Sequence, residues 1–261
     1  STIYFPDGTY NMTEPIVISA DPAKSVSIRM SNLALLKPLN WTDPSLPLIR
    51  VGVSENGESD TSDVAINNAY MTGNESVSIT GGCIYCVGAA QGISVEGGVG
   101  TYIYNVSIKA APVGIHIKKG PNALGATYVN VDNVNITGND SKESIGVLVE
   151  GSYNTLSNMR IASINYGVKC TETGSRNIFR NIHPLVTDGF TAGFKAVACI
   201  NKQKFSLVRC RFILGHDPDI SCNARIVKTV VGQLYDGIKP VIFNQITTDL
   251  ARSRTCIAGK K

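Results

Sequence analysis

The sequence has few of the features that mark membrane or nucleic-acid-binding proteins. No segment approaches the roughly 18 consecutive apolar residues of a membrane-spanning helix, so no membrane span is predicted. Basic residues are scattered and the net charge is only +4, which argues against nucleic-acid binding and is compatible with a weak preference for acidic polymers. Tryptophan occurs once, at Trp41, which offers little aromatic surface for stacking on sugars.

The cysteines do not form the pattern of a disulfide-stapled secreted domain. Their number is odd, at seven, so at least one is unpaired in a monomer. Cys83 and Cys86 make a C-x-x-C pair, but no second pair follows at zinc-site spacing, and the pair lies in a glycine-rich strand region. We therefore predict buried thiols that pack as small apolar side chains, and no metal site. No cofactor is expected. Ca2+ stays an open alternative, although the sequence shows no recognisable set of Ca2+ ligands.

What the sequence does contain is an internal repeat. Four copies of an asparagine followed by a short alternating strand lie 28, 25 and 23 residues apart, at Asn105, Asn133, Asn158 and Asn181. A second strand in each unit begins with a glycine, at Gly92, Gly114, Gly146 and Gly167. A third strand precedes each asparagine, and residues 77–79 (VSI) resemble an earlier copy of the first strand without its asparagine. Each unit therefore carries about three short strands.

Units of this kind predict an all-β chain coiled into a right-handed parallel β-helix, a solenoid in which each strand pairs with its copy one coil along. The alternative is an ordinary β-sandwich, but two registers that stay in step argue against it. Asparagine tolerates left-handed backbone and can form a ladder at one corner, and the glycines are expected to supply positive φ angles. Alternation predicts a buried core of Val106, Ile108, Ile115, Ile117, Val134, Ile136, Val147, Val149, Met159, Ile161, Val168 and Cys170.

The repeat indicates one domain over residues 1–261. Residues 1–25 are expected to form an N-terminal entry or cap, residues 26–215 approximately the coils, and residues 224–261 approximately a C-terminal cap or irregular extension. The distance between the first and second strands is longest after Asn133, which predicts an insertion within residues 137–144.

The opening segments, residues 3–10 (IYFPDGTY) and 15–18 (PIVI), resemble the start of many pectate-lyase-like β-helix proteins. Residues 181–184 (NIHP) are similar, more loosely, to phage tailspike-type proteins. The resemblance implies a polysaccharide or oligosaccharide partner, an extracellular, secreted or virion-surface location, and a homotrimer in the tailspike case. The sequence motifs of polygalacturonases are absent, and residues 215–217 (GHD) match their G-H-G motif only in part. No catalytic residue therefore carries over from that family.

Outward columns of the solenoid supply the candidate site. Arg160, His183 and Arg209 are predicted to form one cationic column, with Arg209 included on the assumption that Val208 continues the inward row. Guanidinium groups bind sugar carboxylates, and in a lyase a base beside them removes the proton next to that carboxylate. The alternative is a row of solvated polar side chains. Neighbouring outward residues predicted to bind substrate are Asn135, Lys109 and Arg211.

Hydrolysis of a glycosidic bond would instead need two carboxyl groups roughly 5–10 Å apart. Turns offer them at Asp188, Asp217 and Asp219, and at Asp140 and Glu143 in the predicted insertion. On the second strand, Glu96, Lys118 and Glu150 alternate in charge, which we interpret as an exposed ion-pair row of little energetic value. The leading hypothesis is a β-helix that binds and possibly cleaves a glycan, as a lyase, epimerase or hydrolase; the alternative is a structural or receptor-binding rod.

Overall fold

The structure is a computed structural model of the 261-residue chain. It describes residues 1–185 except for 20–24, 54–75, 120–125, 142, 163–165, 172 and 175, and it describes five strands further on. From residue 184 onwards only the backbone is described.

The described part consists of β-strands, turns and bends, without a helix. In chain order the strands are β1 Thr2–Phe5, β2 Gly8–Met12, β3 Ile16–Ser19, β4 Ser25–Met30, β5 Ala34–Pro38, β6 Pro47–Val53, β7 Ser76–Thr80, β8 Cys83–Tyr85, β9 Gln91–Val95, β10 Tyr102–Tyr104, β11 Ser107–Ala111 and β12 Val113–Ile117. They continue with β13 Asn130–Asp132, β14 Asn135–Gly138, β15 Ile145–Val149, β16 Thr155–Ala162, β17 Tyr166–Cys170, β18 Asn177–Leu185, β19 Lys195–Cys199, β20 Phe205–Val208, β21 Ala224–Lys228, β22 Leu234–Asp236 and β23 Lys239–Val241.

These strands form the predicted right-handed parallel β-helix. Each coil contributes one strand to a parallel sheet of β3, β6, β9, β12, β15, β17 and β19, in which each strand pairs with its copy one coil along; we call it the second sheet. The other two series meet at the asparagine corner and join into one 14-stranded sheet, because β16 and β18 run through that corner without a break. We call the outward sides of these two series the pre-corner face and the post-corner face.

The asparagine ladder is confirmed. Asn105, Asn133, Asn158 and Asn181 all have φ between 50° and 56°, the left-handed conformation that asparagine tolerates better than most residues. Asn133 Nδ2 donates to Asn105 Oδ1 at 3.1 Å, and Asn181 Nδ2 donates to Asn158 Oδ1 at 2.8 Å. Asn158 Nδ2 donates to Asp132 Oδ1 at 2.7 Å, so the ladder is interrupted between Asn133 and Asn158.

The predicted role of the second-strand glycines is wrong. Gly92, Gly114 and Gly146 do not have positive φ and lie inside the strands. A Cβ on Gly114 would come within 2.6 Å of the Gly146 carbonyl oxygen and 2.7 Å of Ile136 Cγ2. Glycine stands there because the sheet backbone packs directly on core side chains, which leaves no room for a methyl group.

The core prediction is confirmed at every position. The twelve predicted side chains are buried, and they stack in rows in which Ile108 pairs with Ile136 and Ile136 pairs with Ile161. A second, inward row of asparagines was not predicted. Asn154 and Asn177 are buried, and the Oδ1 of each accepts a backbone N–H of the preceding coil at 2.8 Å, which satisfies donors at a turn.

Two register predictions are wrong. Ser78, in residues 77–79, pairs with Tyr102 on the pre-corner strands, and the true neighbour of Ser107 is Cys83. The reason is that Gly81, with φ of 78°, forms the corner in that coil, which the search for an asparagine overlooked. Further along, Val208 pairs with Arg180, which precedes the asparagine corner. Val208 therefore does not continue the inward row, and the position predicted for Arg209 depended on that assumption.

Strands on both sides of the predicted coils extend the parallel sheets of the solenoid. β1, β2 and β3 pair with β4, β5 and β6, so the expected entry segment is itself a coil. β21 continues the parallel sheet beyond β20, and β22 and β23 form an antiparallel pair. The predicted insertion is confirmed, since residues 139–144 separate β14 from β15 whereas one residue separates β11 from β12. Among the described residues no helix is long and apolar enough to cross a membrane.

Candidate functional site

Part of the predicted cationic column is assembled as expected on the post-corner face. Asn135 pairs with Arg160, and Arg160 pairs with His183, so the three residues occupy one outward row on consecutive strands. We call them the cationic row. Asn135 and Arg160 are exposed, and His183 is half-buried. The Arg160 guanidinium group has no hydrogen-bond or ion-pair partner among the described residues, which leaves it available to a ligand.

His183 is tied to the asparagine ladder. Its Nε2 lies 2.5 Å from Asn181 Oδ1. Because Asn181 Nδ2 already donates to Asn158 Oδ1, the Oδ1 of Asn181 accepts and the His183 Nε2–H donates. The ladder therefore sets both the orientation and the tautomer of the ring.

The remaining predicted site residues are not assembled with this row in the described part of the chain. Lys109 is exposed on the post-corner face. Its partner in the strand register is Tyr85, not a residue with a carboxylate. Asp140 and Glu143 are exposed in the 139–144 turn, where side-chain hydrogen bonds of Asn139 and Ser141 organise the backbone. The residues that lie outside the described ones are Asp188, Arg209, Arg211, Asp217 and Asp219.

A different group of charges is enclosed on the outward side of the second sheet. Glu96 follows β9 on the outward side of the second sheet, and its side chain is 0% exposed. Arg50 Nε and Nη2 reach the two carboxylate oxygens at 2.8 and 3.0 Å, and Lys118 Nζ lies 3.2 Å from Oε2. The side chains of Arg50 and Lys118 are 15% and 31% exposed. The ion pair of Glu96 and Lys118 that the sequence predicted is therefore present, but its predicted exposure is wrong, because Glu96 is enclosed.

Two further charged residues extend this group to the next coils. His116 Nε2 lies 3.2 Å from Glu150 Oε2, an ion-pair distance that lacks the directed geometry of a hydrogen bond. The polar contact with His116 lowers the pKa of Glu150 most strongly, with help from the Lys119 backbone N–H and against the effect of burial. We call Arg50, Glu96, His116, Lys118 and Glu150 the ionic cluster. It crosses the second sheet from β6 to β15.

Sequence reasoning missed Arg50 as a member of the cluster for a specific reason. Arg50 lies in a coil whose connection to β7 is 22 residues long, so the repeat did not align it with the later coils. Its register is visible only in the structure, where Arg50 pairs with Ser94 and Ser94 pairs with His116.

The two cysteines of the C-x-x-C pair were predicted to be buried thiols, which is confirmed for Cys86 and only partly for Cys83. Both thiols are free, Cys86 is buried and Cys83 is half-buried. Burial raises the pKa of each thiol, which makes the reactive thiolate form rare at neutral pH. No group of three or more metal-ligating side chains occurs among the residues that the structure describes.

The lowered pKa of Glu150 predicts a pH effect on stability. A carboxyl group with a folded-state pKa below its ordinary value of 4.5 stabilises the fold above that pH, and the contribution disappears as the pH falls through the lower folded-state pKa. Glu150→Gln should therefore make the free energy of unfolding fall less steeply below about pH 4.5, by on the order of 1 kcal/mol or less. Urea denaturation between pH 6 and pH 3 measures this, with Glu143→Gln as the exposed control. Parallel curves for Glu150→Gln and the wild type would contradict it.

Fold and site together define a parallel β-helix with an ionic cluster on the outward side of its second sheet. No protein-family model matches the sequence, and no curated protein matches it significantly. Among solved structures, the catalytic domain of GH87 alpha-1,3-glucanase in complex with nigerose is similar at 14% identity and a TM-score of 0.43, over 80% of this chain and 40% of that one. ORF18 of Geobacillus virus E2 is similar at 12% identity and a TM-score of 0.46, over 88% and 53%.

An endo-xylogalacturonan hydrolase from Aspergillus tubingensis is similar at 16% identity and a TM-score of 0.36, over 89% of this chain and 76% of that one. The chain thus spans 40% of the glucanase structure and about half of the phage protein. The fold assignment rests on the strand register of this chain itself.

Proposed function

We propose that the protein binds a polysaccharide along the post-corner face, with the cationic row contacting an acidic sugar. The observation that carries the proposal is the exposed Arg160 guanidinium group, which has no partner among the described residues and has Asn135 and His183 beside it. A guanidinium group binds a carboxylate through two parallel hydrogen bonds, and an amide adds a donor and an acceptor for sugar hydroxyls.

The geometry suits a linear ligand aligned with the solenoid axis. Adjacent strands are about 4.8 Å apart, so Asn135, Arg160 and His183 span about 10 Å, roughly the length of two sugar units. Tyr85 and Lys109 extend the same face by two coils, and both side chains are exposed. A polymer along this face would meet an aromatic ring, an ammonium group and a guanidinium group in turn.

Exposed tyrosines support a glycan partner over a purely structural rod. Trp41 is partly buried and packs against the core, so it supplies no platform. Tyr4, Tyr85 and Tyr104 are exposed, and Tyr102 and Tyr104 stack with ring planes 9° apart on the pre-corner face. Aromatic rings with one apolar face and one polar edge suit contacts with sugars.

The finer parts of the proposal follow the resemblance. We propose a secreted or virion-surface location, and a homotrimer in the tailspike case. If the bound glycan is also cleaved, lyase or epimerase chemistry would use His183 as the base beside Arg160, whereas hydrolase chemistry would need the turn carboxylates.

Glycan binding should weaken when the free cation is removed. Arg160→Ala is expected to reduce affinity for an acidic oligosaccharide about tenfold or more, since one charge-assisted hydrogen-bonded pair is worth roughly 1.5–3 kcal/mol. Calorimetric titration against polygalacturonate, alginate and sialic-acid oligosaccharides measures it, with a neutral glucan as a reference ligand.

Arg29→Ala is the matched control, because Arg29 is an exposed arginine on the pre-corner face. Equal affinities for the wild type, Arg160→Ala and Arg29→Ala would rule out the cationic row as a binding site. Failure of the wild type to bind any glycan in the panel would favour the structural or receptor-binding rod.

A further inference from the structure

Two tyrosines form an aromatic surface on the pre-corner face. Tyr102 and Tyr104 are two residues apart on β10, so alternation turns both side chains outward, and Ile103 between them is 0% exposed. The ring centroids are 5.8 Å apart and the ring planes differ by 9°, so the two rings share one orientation. Tyr104 is 38% exposed. We call these two rings the tyrosine platform.

Polar groups flank the tyrosine platform on the next coil. Tyr102 pairs with Asn130, which is exposed, and Tyr104 pairs with Asp132, which is half-buried. Asp132 Oδ1 accepts two side-chain hydrogen bonds, at 2.8 and 2.7 Å, which hold the carboxylate in place. The other oxygen, Oδ2, has no hydrogen-bond partner among the described residues. An amide and a carboxylate oxygen therefore stand beside the rings, and both can hydrogen-bond hydroxyl groups.

The charge around the platform disfavours acidic ligands. On the preceding coil Tyr102 pairs with Ser78 and Tyr104 pairs with Thr80, so none of the four register neighbours is basic and one is a carboxylate. Desolvation raises the pKa of Tyr102, and the charge of Asp132 raises it further, so this carboxylate acts on the platform. A sugar carboxylate would be repelled here, whereas the cationic row would attract it.

We propose that the tyrosine platform, with Asn130 and Asp132, binds a neutral linear glycan of glucose or xylose units whose ring substituents are equatorial. The axial C–H bonds of such sugars leave an apolar face that packs on an aromatic ring. The 5.8 Å between the ring centroids is close to the length of one sugar unit, so two consecutive units each contact one tyrosine.

The bound glycan runs along β10, across the solenoid axis, and Asn130 and Asp132 hydrogen-bond its hydroxyl groups. This site lies on a different face from the cationic row and has the opposite preference for charge. It does not depend on binding of an acidic glycan at the cationic row.

Calorimetric titration of the full chain with cellohexaose and xylohexaose tests the site. We expect Tyr104→Ala to weaken binding about tenfold or more, because it removes one of the two aromatic contacts. Tyr104→Phe should bind about as tightly as the wild type, since it keeps the ring. Tyr4→Ala is the matched control, because Tyr4 is also an exposed tyrosine of the pre-corner face and lies three strands away in the same row.

A second set of variants separates this site from the cationic row. Arg160→Ala should leave binding of both neutral ligands unchanged, so failure of the acidic-glycan site and failure of the platform give different results. In the Arg160→Ala background, Asp132→Asn should increase binding of hexagalacturonate, because the repelling charge is removed while an acceptor oxygen remains.

Four outcomes would overturn the proposal. The first is that the wild type binds neither neutral ligand, a result that misfolding of a variant cannot obscure. The second is that Tyr104→Ala binds as tightly as the wild type. The third is that Tyr4→Ala or Arg160→Ala weakens binding as much as Tyr104→Ala does. The fourth is that Asp132→Asn in the Arg160→Ala background gains no affinity for hexagalacturonate.

Discussion

Arg50→Ala should lower the free energy of unfolding by about 3 kcal/mol, because it removes the main partner of a carboxylate with no exposed surface. Loss of one member of a buried pair typically costs about 3–5 kcal/mol. The lower end applies since Lys118 Nζ remains 3.2 Å from Glu96 Oε2. Equilibrium denaturation in urea measures the loss.

A second variant separates the charge effect from lost packing. Arg50→Met combined with Glu96→Leu removes both ions and keeps apolar volume, so most of the stability should return, as happens when buried pairs are replaced by apolar side chains. Lys118 would keep access to water, since its side chain is 31% exposed. A loss below about 1 kcal/mol for Arg50→Ala would mean that water reaches Glu96 in solution.

Ile136→Ala should cost about 2–5 kcal/mol, the sum of lost transfer energy and the cavity left behind. Ile136 is 1% exposed, and its strand pairs on both sides, with Ile108 in one coil and Ile161 in the next. Ile136 Cγ2 would lie only 2.7 Å from a Cβ built on Gly114. The side chain of Ile136 is therefore packed directly against the backbone at Gly114. A solenoid core of this kind has little freedom to collapse into the cavity.

Thr137→Ala is the control for this experiment. Thr137 is the next residue on β14 and is exposed, so its removal should change the free energy of unfolding by no more than about 0.5 kcal/mol. Similar losses at both positions would show that the alternation of inward and outward residues on β14 is shifted by one.

The parts of the fold that could be predicted from the sequence are those that repeat. Asn133 and Asn158 mark one corner in successive coils, and the alternation that follows each of them assigns Val134, Ile136 and Ile161 to the core. Alternation has a period of two residues in any strand, so it identifies buried positions without knowledge of the neighbours. The same argument placed Arg160 beside His183 correctly, because both lie at the same distance from their asparagines.

Predictions failed where a coil departs from the repeat or where burial depends on distant groups. Gly81 replaces the corner asparagine, which shifted the assignment of Ser78 to the wrong face. Glu96 has the sequence context of an outward surface residue, and only its contacts with Arg50 and Lys118 reveal that it is enclosed. Alternation distinguishes inward from outward, but it does not tell whether an outward residue is covered.

By itself the sequence determined the class of fold, the identity of one corner and the inward rows, because these depend on local periodicity and on residues such as Asn105 that tolerate left-handed backbone. Where a coil departs from the repeat, only the tertiary structure decided which outward residues meet. Arg50 and Glu96 are 46 residues apart in the chain. They become adjacent only when the coils stack in one register, since the distance between strands is set by the solenoid and not by the number of residues in the turns between them.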